Sequence, residues 1–424
     1  MTMKPVSIAA LALAAACGAN TMAHADGGPE TRWVTSWYAA PQAVWDDEFV
    51  LPTNVPLWID NQSLRETVRL SAGGRAVRIV LSNRYGSAPV RVGEISIGLL
   101  DSREPAQRLT FSGHAGVTIA PGAAVTSDPL RWTVSPLAHL SVSTYLPERT
   151  RVASFHWGAL QTIEVDQGKR TGALSNAAGH IDGRLFLNAV LVEAGGEGRT
   201  VVALGDSITD GNGSTPNADR RWPDLLAQRL ASHGIGVANA GISGARLLRD
   251  GMGQNALARF DRDVLAQPGV SDVIVLLGIN DIGWPGSPFA PAERAVTLDE
   301  LTVGYQQLAA AAHLRNVRIT VGTLPPFEGA LEGTPYAGHY SAAKEAMRTR
   351  LNDWFRSAGV FDAVVDFDAI LRDPAHPRRL RAEYDSGDHL HPGDAGYRKM
   401  AEAIDVAGAA IGASRTMPRT GAKP

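Results

Sequence analysis

Residues 201–213 read VVALGDSITDGNG, an apolar run that ends in Gly-Asp-Ser and continues into a glycine-rich loop. The run is typical of a strand buried on both faces of a parallel sheet. Gly205 allows a sharp turn after it, and Ser207 then stands where a helical turn can begin. A serine at a strand–helix junction is usually a helix cap. Residues elsewhere in the chain therefore have to decide whether Ser207 is reactive.

The same pattern is repeated through the C-terminal half of the chain. Predicted strands alternate with predicted helices; the strands are at 200–204, 272–278, 317–324 and 363–367, and the helices are at 221–234, 298–316 and 341–359. Two of the helices end at Gly234 and Gly359, where a left-handed cap residue is expected. The alternation predicts a three-layer α/β/α domain with a mostly parallel sheet. Ligands of such sheets bind beyond the carboxyl ends of the strands.

Residues 30–195 predict a different architecture, an all-β sandwich or jelly-roll domain. Their short segments often alternate apolar with polar residues and are punctuated by Gly, Pro, Asn and Asp; they lie at 63–71, 76–83, 90–100 and 140–146. Residues 192–198, VEAGGEG, are the predicted linker to an α/β domain of residues 199–412. Residues 413–424 have little to bury and are predicted to form a flexible tail.

The first 25 residues have the pattern of a secretory signal. Lys4 precedes an apolar core, and AHA at 23–25 fits a small-residue cleavage site, so the mature chain is predicted to begin near Asp26 and to be secreted or periplasmic. Cys17 is the only cysteine of the sequence. The exported protein would then have no disulfide and no cysteine-based zinc site. A lipid anchor on Cys17 is the alternative, although AAAC lacks the usual leucine three residues upstream.

Composition excludes several classes of protein. The 424 residues include 40 basic and 43 acidic side chains, a formal net charge of −3. This balance argues against a nucleic-acid-binding protein and against a protein of the membrane surface. No stretch after the signal is long and apolar enough to predict a membrane span.

A reactive serine needs a base, and residues 384–404 offer one. Asp388 and His391 are three residues apart. The carboxylate can therefore accept the Nδ1–H of the imidazole and leave Nε2 facing Ser207. His389 competes for this role, but it follows Asp388 directly and is less naturally oriented by it. Other histidines lack a comparable local partner, among them His156 and His339.

Acyl transfer also needs hydrogen-bond donors for the oxyanion. Asn280 in LLGIND follows a predicted buried strand, and its side-chain amide can point into the same crevice as Ser207. Gly244 in NAGISGARLL can present a backbone N–H where a side chain would obstruct it. Each residue alone fits an ordinary turn. Together they complete a set of nucleophile, base, orienting carboxylate and two donors at one edge of the sheet.

The blocks GDSITDG, NAGISG, GIND and DHLH resemble, in that order, the four sequence blocks of the SGNH (GDSL) hydrolase family. The resemblance covers roughly residues 200–410 and implies a flavodoxin-like fold without a metal or cofactor. It implies Ser207 as nucleophile, with Asp388 and His391 completing the triad. It also implies an oxyanion hole formed by Gly244, Asn280 and the backbone N–H of Ser207.

The sequence departs from the GDSL pattern at one position, where Ile208 replaces leucine, an exchange between apolar residues. Residues 61–93 resemble the leading β region of secreted two-domain SGNH proteins, some of which are grouped with xylan-degradation esterases. This resemblance implies an esterase that hydrolyses small acyl esters, acetyl in particular, on a carbohydrate. The expected partner is a small-molecule or polysaccharide ester.

Several alternatives remain open from the sequence. An α/β-hydrolase is disfavoured because no G-x-S-x-G pentapeptide occurs. A general short-chain esterase or lipase of the same family fits the motifs equally well. A metallophosphoesterase would take its ligands from GD, GIND and HLH, but it leaves Ser207 and Gly244 without a role. A non-catalytic carbohydrate-binding protein is disfavoured by the complete set of catalytic residues.

The sequence also offers candidate residues for the substrate pocket. Trp222, Trp284 and Phe327 lie near predicted strand ends or loops, where they can stack on a sugar ring or pack in the core. Residues 284–297 and 325–340 are the best candidates for the pocket walls.

Overall fold

A computed structural model describes residues 32–406 except 101, 103, 173–176 and 197. The predicted signal with Cys17 and the predicted tail 413–424 lie outside the described residues.

The N-terminal part of the described chain consists of strands joined by turns. They are β1 Arg32–Tyr38, β2 Gln42–Ala43, β3 Trp58–Ile59, β4 Gln62–Arg69, β5 Val77–Ser82, β6 Val90–Val92, β7 Glu94–Leu99, β8 Gln107–Arg108, β9 Val117–Ile119, β10 Ala124–Thr126, β11 His139–Leu146, β12 Thr150–Arg151, β13 Ser154–His156, β14 Thr162–Gln167, β15 Gly179–Asp182, β16 Arg184–Leu185 and β17 Leu187–Ala194. The predicted strand 90–100 is two strands because the pairing partner changes at Gly93, from β9 for β6 to β11 for β7. The predicted linker 192–198 begins inside β17.

These strands form antiparallel sheets, as their alternating sequences predict. A six-stranded sheet has the order β15-β14-β4-β11-β7-β8, and a four-stranded sheet has the order β1-β17-β5-β10. Leu64 of β4 and Ile97 of β7 in the first sheet share one hydrophobic core with Ile79 of β5 and Val190 of β17 in the second. The two sheets are thus layers of a sandwich, held together mainly by burial of apolar side chains.

The C-terminal part alternates strands and helices. Its strands are β18 Arg199–Gly205, β19 Ile235–Gly241, β20 Val270–Leu276, β21 Arg318–Gly322 and β22 Ala363–Val365. Its helices are α1 Ser207–Asp210, α2 Trp222–Leu230, α3 Ala256–Phe260, α4 Ile279–Gly283, α5 Leu298–Leu314, α6 Ala342–Ser357, α7 Phe367–Leu371 and α8 Asp394–Ala403. A 3₁₀ turn at Ala231–His233 and a π turn at Asp261–Leu265 complete the set.

The five C-terminal strands form a parallel sheet in the order β19-β18-β20-β21-β22. This is the flavodoxin-like strand order. In such sheets ligands bind between the first and third strands, where the strand order changes direction along the sheet. Those strands are β18 and β20 here. The helices form two contacting groups, α2 with α7 and α8, and α5 with α3 and α6, as expected for helices that cover two faces of a sheet.

Local sequence accounts for several helix boundaries. Gly234 and Gly359 have φ of 67° and 65°, the left-handed conformation predicted for them. Thr297 and Glu300 form a capping box at the start of α5. β19 was not predicted because IGVANAG contains two glycines and an asparagine in place of large apolar residues.

The β sandwich covers the open edge of the parallel sheet. β1 runs beside the edge strand β19, and a Cβ placed on Gly236 would lie 2.2 Å from the carbonyl oxygen of Thr35. The Val237 N–H donates to Ser71 Oγ at 2.7 Å. Tyr38 and Ala40 belong to the same hydrophobic core as the parallel sheet. Covering an edge strand in this way protects it from pairing with other chains.

Across the described residues, no helix combines the length and the apolar character that crossing a membrane requires.

Candidate active site

The chain makes a tight turn at the end of β18. A Cβ on Gly205 would lie 2.0 Å from Thr209 Oγ1, so only glycine fits at this point. Asp206 is the N-cap of α1, and its Oδ1 accepts from the Ile208 N–H at 3.0 Å. Ser207 is thus the first residue of α1 and has 6% of its surface exposed. The cap that the sequence suggested for Ser207 is made by Asp206, which leaves the serine hydroxyl free for another partner.

That partner is His391. His391 Nε2 lies 2.7 Å from Ser207 Oγ, and His391 Nδ1 lies 2.5 Å from Asp388 Oδ2. The other carboxylate oxygen of Asp388 accepts from the backbone N–H groups of Leu390 at 2.9 Å and His391 at 2.8 Å. The three residues form the hydrogen-bonded line in which a serine can lose its proton to an oriented imidazole.

His389, the competing histidine, has a separate partner. Its backbone has a φ of 61°, and its Nδ1 lies 2.5 Å from Asp385 Oδ2. The side chain is 55% exposed. The left-handed conformation at this residue separates the two histidines of HLH, so that only His391 reaches Ser207.

The carboxyl groups around the serine differ in their electrostatics. Burial alone would raise the pKa of Asp388, but the hydrogen bonds and the charge of His391 hold that pKa well below its ordinary value. Asp206 accepts no hydrogen bond from a cationic side chain within the described residues, and burial raises its pKa to about 7. Asp388 is therefore ionised throughout the neutral range, as an orienting carboxylate must be.

Gly244 and Asn280 follow the strands on either side of β18. Asn280 lies in α4 and is 3% exposed, and its Nδ2 donates to the Ala245 carbonyl at 3.1 Å. Gly244 has a φ of 72°, and a Cβ there would lie 2.5 Å from Met252 Sδ. The side-chain amide and the glycine loop are therefore held against each other, at the same sheet edge as Ser207.

Two further side chains fix this edge, and neither was identified from the sequence. Asp281 accepts from the backbone N–H groups of Leu247 at 2.7 Å and Leu248 at 3.0 Å, which ties α4 to the loop after Gly244. Arg259 is fully buried and donates to the carbonyl of Ala240 at 2.7 Å and of Gly205 at 3.1 Å. The available signal for Arg259 was its i,i+4 spacing to Asp263 on a helix, which is also the spacing of an ordinary surface pair.

A cavity of about 460 Å³ opens beside the triad. Its lining comes from both domains: Asn54, Trp157, Gly158, Leu160, Gln161, Thr162, Asp182 and Gly183 from the sandwich, and Asn212, Gly213, Pro216, Asp388 and His391 from the α/β domain. The expected wall segments 284–297 and 325–340 do not contribute to this lining. The walls come from residues that are distant in sequence because the sandwich packs against the carboxyl ends of the strands.

The three aromatic side chains considered for sugar stacking are buried. Trp222 and Phe327 have no exposed surface, and Trp284 has 2%. Trp284 stacks on Phe289, with 5.0 Å between ring centroids. They are core residues, which leaves Trp157 as the aromatic side chain of the cavity, half-buried with its indole N–H donating to the Pro52 carbonyl at 2.9 Å.

His339 lies in the core near the site. It is 1% exposed, both ring nitrogens lack a hydrogen-bond partner among the described residues, and burial lowers its pKa to about 3. Its ring packs edge-on against Phe289 and Phe327. His339 is therefore a neutral packing residue.

The ligands that the phosphoesterase alternative requires do not converge. Asp281 is bound to backbone N–H groups, His389 to Asp385, and His391 to Ser207. Among the residues that the structure describes, no group of three His, Cys, Asp or Glu side chains could hold a metal ion.

Residues 201–404 match the family model of the GDSL-like lipase/acylhydrolases. A comparison with curated proteins finds no match.

Three similar solved structures each match over 49% of this chain. A GDSL-like lipase from Bacteroides thetaiotaomicron VPI-5482 is 18% identical over 85% of its own length, with a TM-score of 0.36. An alpha/beta hydrolase enzyme from the metagenome of Lake Arreo, Spain, is 24% identical over 93%, with a TM-score of 0.35. A mutant of an acetyl-xylooligosaccharide esterase from Geobacillus Stearmophilus is 24% identical over 92%, with a TM-score of 0.34. Residues 201–404 form a GDSL-like lipase/acylhydrolase domain, and the chain is a carboxylic ester hydrolase.

Proposed function

We propose that this chain is an exported esterase that removes short acyl groups, acetyl in particular, from a carbohydrate by way of an acyl-enzyme. The observation that carries the proposal is the unbroken line from Ser207 Oγ through His391 to Asp388, with distances of 2.7 and 2.5 Å. A weakly nucleophilic hydroxyl becomes reactive when an oriented base accepts its proton.

In the first step His391 Nε2 takes the proton of Ser207 as Oγ bonds to the ester carbon. The carbonyl oxygen becomes an oxyanion, which the N–H groups of Gly244 and Ser207 and the side-chain amide of Asn280 stabilise. The ester C–O bond then breaks, and His391 returns the proton to the departing alcohol. Asp388 holds the imidazolium and is not itself protonated.

In the second step water attacks the acyl-serine. His391 accepts a proton from the water, the same donors stabilise the second oxyanion, and the bond to Ser207 Oγ breaks. Ser207 regains a proton from His391, and the acid leaves. In the overall reaction, one ester and one water molecule are converted into one alcohol and one carboxylic acid.

The cavity beside His391 supports a hydroxyl-rich alcohol. Its volume of about 460 Å³ suits a small ligand. The lining includes the amides of Gln161 and Asn212, the Thr162 hydroxyl and the Asp182 carboxylate, groups that hydrogen-bond hydroxyls. Trp157 offers the flat apolar surface on which a sugar ring can stack.

The packing around Gly244 supports a short acyl group. Trp284 and Met252, which contact the Gly244 position, are 2% and 3% exposed, and Trp284 is covered by Phe289. Since these apolar side chains are already packed against one another, they offer little surface to a long acyl chain. The signal-like pattern of residues 1–25 supports export.

The test is acetate release from a panel of acetylated polysaccharides, together with kcat/KM on 4-nitrophenyl esters of increasing acyl length. We expect release from at least one glycan and a steep fall beyond short acyl chains, with both activities absent in Ser207→Ala. Preference for long acyl chains with no release from any glycan would overturn the proposal in favour of a lipase.

A further inference from the structure

A histidine of the β sandwich contacts the helix that begins with Ser207. His156 is the last residue of β13 and is 4% exposed. Its Nδ1 lies 2.8 Å from the Ala40 carbonyl oxygen, and its Nε2 lies 2.9 Å from Asp210 Oδ1. Asp210 is the last residue of α1. The contact therefore joins the two domains directly behind the nucleophile.

The contacts determine how this pair is bonded. A carbonyl oxygen only accepts, so His156 Nδ1 carries a hydrogen. Burial alone would raise the pKa of Asp210, but His156, Ser243 and the charge of Arg221 lower it overall. One hydrogen lies between His156 Nε2 and Asp210 Oδ1, so both ring nitrogens of His156 are hydrogen-bonded and the pair is buried.

The Asp210 carboxylate has a second set of partners on its other side. Its Oδ2 accepts from the backbone N–H of Ser243 at 2.9 Å and from Ser243 Oγ at 2.7 Å. Ser243 directly precedes Gly244. One carboxylate therefore connects the helix that carries Ser207 to the loop that carries Gly244.

The sandwich approaches this junction as closely as its backbone allows. A Cβ on Gly158 would lie 2.2 Å from Asp210 Oδ2 and 2.3 Å from Ser243 Oγ. Gly158 follows His156 by two residues, on the segment that also lines the cavity. Both the His156 side chain and the backbone of this segment are thus fitted to the turn behind the active site.

We infer that His156 is a positioning residue for ester hydrolysis: it holds Asp210 and thereby sets the spacing between Ser207 and the Gly244 loop. The inference rests on the roles proposed for Ser207 and Gly244. His156 itself does not contact the substrate, because both of its nitrogens are occupied and its ring is buried. The α/β domain contains all of the reacting groups, but its activity depends on a side chain of the β sandwich.

The size of the effect follows from the geometry that oxyanion stabilisation requires. Donors act only when they stand close to where the oxyanion forms, and a misplacement of about 1 Å can cost up to about 100-fold in rate. We expect His156→Leu to lower kcat by about 10- to 100-fold and to change KM for 4-nitrophenyl acetate by less than about twofold.

Two conservative variants distinguish a positioning role of His156 from a role in packing alone. In His156→Gln a side-chain amide can still donate to Asp210. In Asp210→Asn the amide can donate to His156 Nε2 while its oxygen accepts from Ser243. We expect kcat losses of about 3- to 10-fold in both, smaller than in His156→Leu because the hydrogen bonds to both neighbours can still form.

The control is Thr35→Val. It removes a buried hydrogen bond between the domains, from Thr35 Oγ1 to Gln267 Oε1 at 3.0 Å, that involves neither α1 nor the Gly244 loop. We expect its thermal unfolding temperature to fall while kcat per active site stays within about twofold of the unaltered chain. Active sites are counted by titration with a serine-reactive fluorophosphonate, and all rates are taken well below each unfolding temperature.

Unchanged kcat per active site in folded His156→Leu would overturn the positioning role. If His156→Leu does not fold, unchanged kcat in both His156→Gln and Asp210→Asn would overturn it. A parallel rise of KM in all His156 variants would also do so, because it would indicate substrate contact. If Ser207→Ala retained activity, the proposed mechanism and this inference would both fail, whereas an inactive Ser207→Ala beside unaffected His156 variants refutes the inference alone.

Discussion

Two aspartate–histidine pairs stand on either side of α1, and the same two side chains have different roles in them. In the first pair Asp388 binds Nδ1 of His391, so that Nε2 faces the hydroxyl of Ser207. In the second pair the Ala40 carbonyl binds Nδ1 of His156, and Asp210 binds Nε2.

The difference lies in whether a nitrogen is left to exchange a proton. His391 has one nitrogen held and one nitrogen facing a group that can give up its proton, so it can act as a base. His156 has both nitrogens held by hydrogen-bond partners that do not react. The Asp388 side chain is 32% exposed and the Asp210 side chain 1%. A partly hydrated pair can change its charge during a reaction, whereas a dry, saturated pair keeps its charge and geometry.

The largest effect is expected in the reactive pair itself. Ser207→Ala and His391→Ala should each lower kcat by about 10⁵-fold or more, because the nucleophile or its base is lost. His389→Ala is the matched control, because this exposed histidine also binds an aspartate but does not reach Ser207. Steady-state kinetics on 4-nitrophenyl acetate should show it within about threefold of the unaltered chain. A large loss in His389→Ala would mean that the two histidines have been assigned the wrong way round.

The next largest effect should distinguish Asp388 from Asp210 by the loss of kcat that each substitution causes. Asp388→Asn should lower kcat by about 10⁴-fold, because an amide no longer fixes the reactive tautomer of His391 or stabilises its charged form. The equivalent exchange at Asp210 should cost less than about tenfold, since His156 does no proton transfer. Parallel measurement of kcat for both variants tests the comparison, and equal losses would erase the distinction between the pairs.

Loss of an oxyanion donor should lower kcat by an amount between the effects of Asp388→Asn and Asp210→Asn. Asn280→Ala should lower kcat by about 10²- to 10³-fold with KM little changed, because the side-chain amide acts on charge that develops only in the transition state. Asn255→Ala, which removes a half-buried N-cap amide of α3, is the control. Unchanged turnover in Asn280→Ala would exclude Asn280 from the oxyanion hole.

The last prediction concerns the stability of the fold and Asp206, an aspartate that is not paired with a histidine. Asp206 Oδ2 has no hydrogen-bond partner within the described part of the chain, and burial raises the pKa of this carboxyl to about 7. The folded state therefore binds the proton more tightly than the unfolded state, whose carboxyl has a pKa of about 3.9. The stability from this group is complete below about pH 4 and is lost as the pH rises through about 7.

Asp206→Asn keeps the cap and removes the titration. Its free energy of unfolding should exceed that of the unaltered chain at pH 8 by up to about 4 kcal/mol, and by less at pH 5. Urea unfolding at the two pH values measures this difference. An equal difference at both values would show that Asp206 does not titrate in this range.

Local patterns were sufficient where the interacting residues are close in the chain. The three-residue spacing of Asp388 and His391 already allowed their contact, and the buried strands were visible as apolar runs. β19 was missed because Gly236 allows the sandwich backbone to approach, so that its sequence reflects a tertiary contact. Trp284 and Phe327 were placed at the pocket by position in the sequence, but their burial is decided by neighbours such as Phe289 and His339.

The sequence by itself determined the α/β class of the C-terminal part of the described chain, the β character of its N-terminal part, and the set of chemical groups that resemble an ester hydrolase. Periodicity and short spacings encode these features because they depend on neighbours within a few residues. Only the tertiary structure joined His156 to Asp210, 54 residues further along the chain, and formed the cavity walls from the sandwich. Such contacts have no local signature, because they arise when two separately patterned domains bury their surfaces against each other.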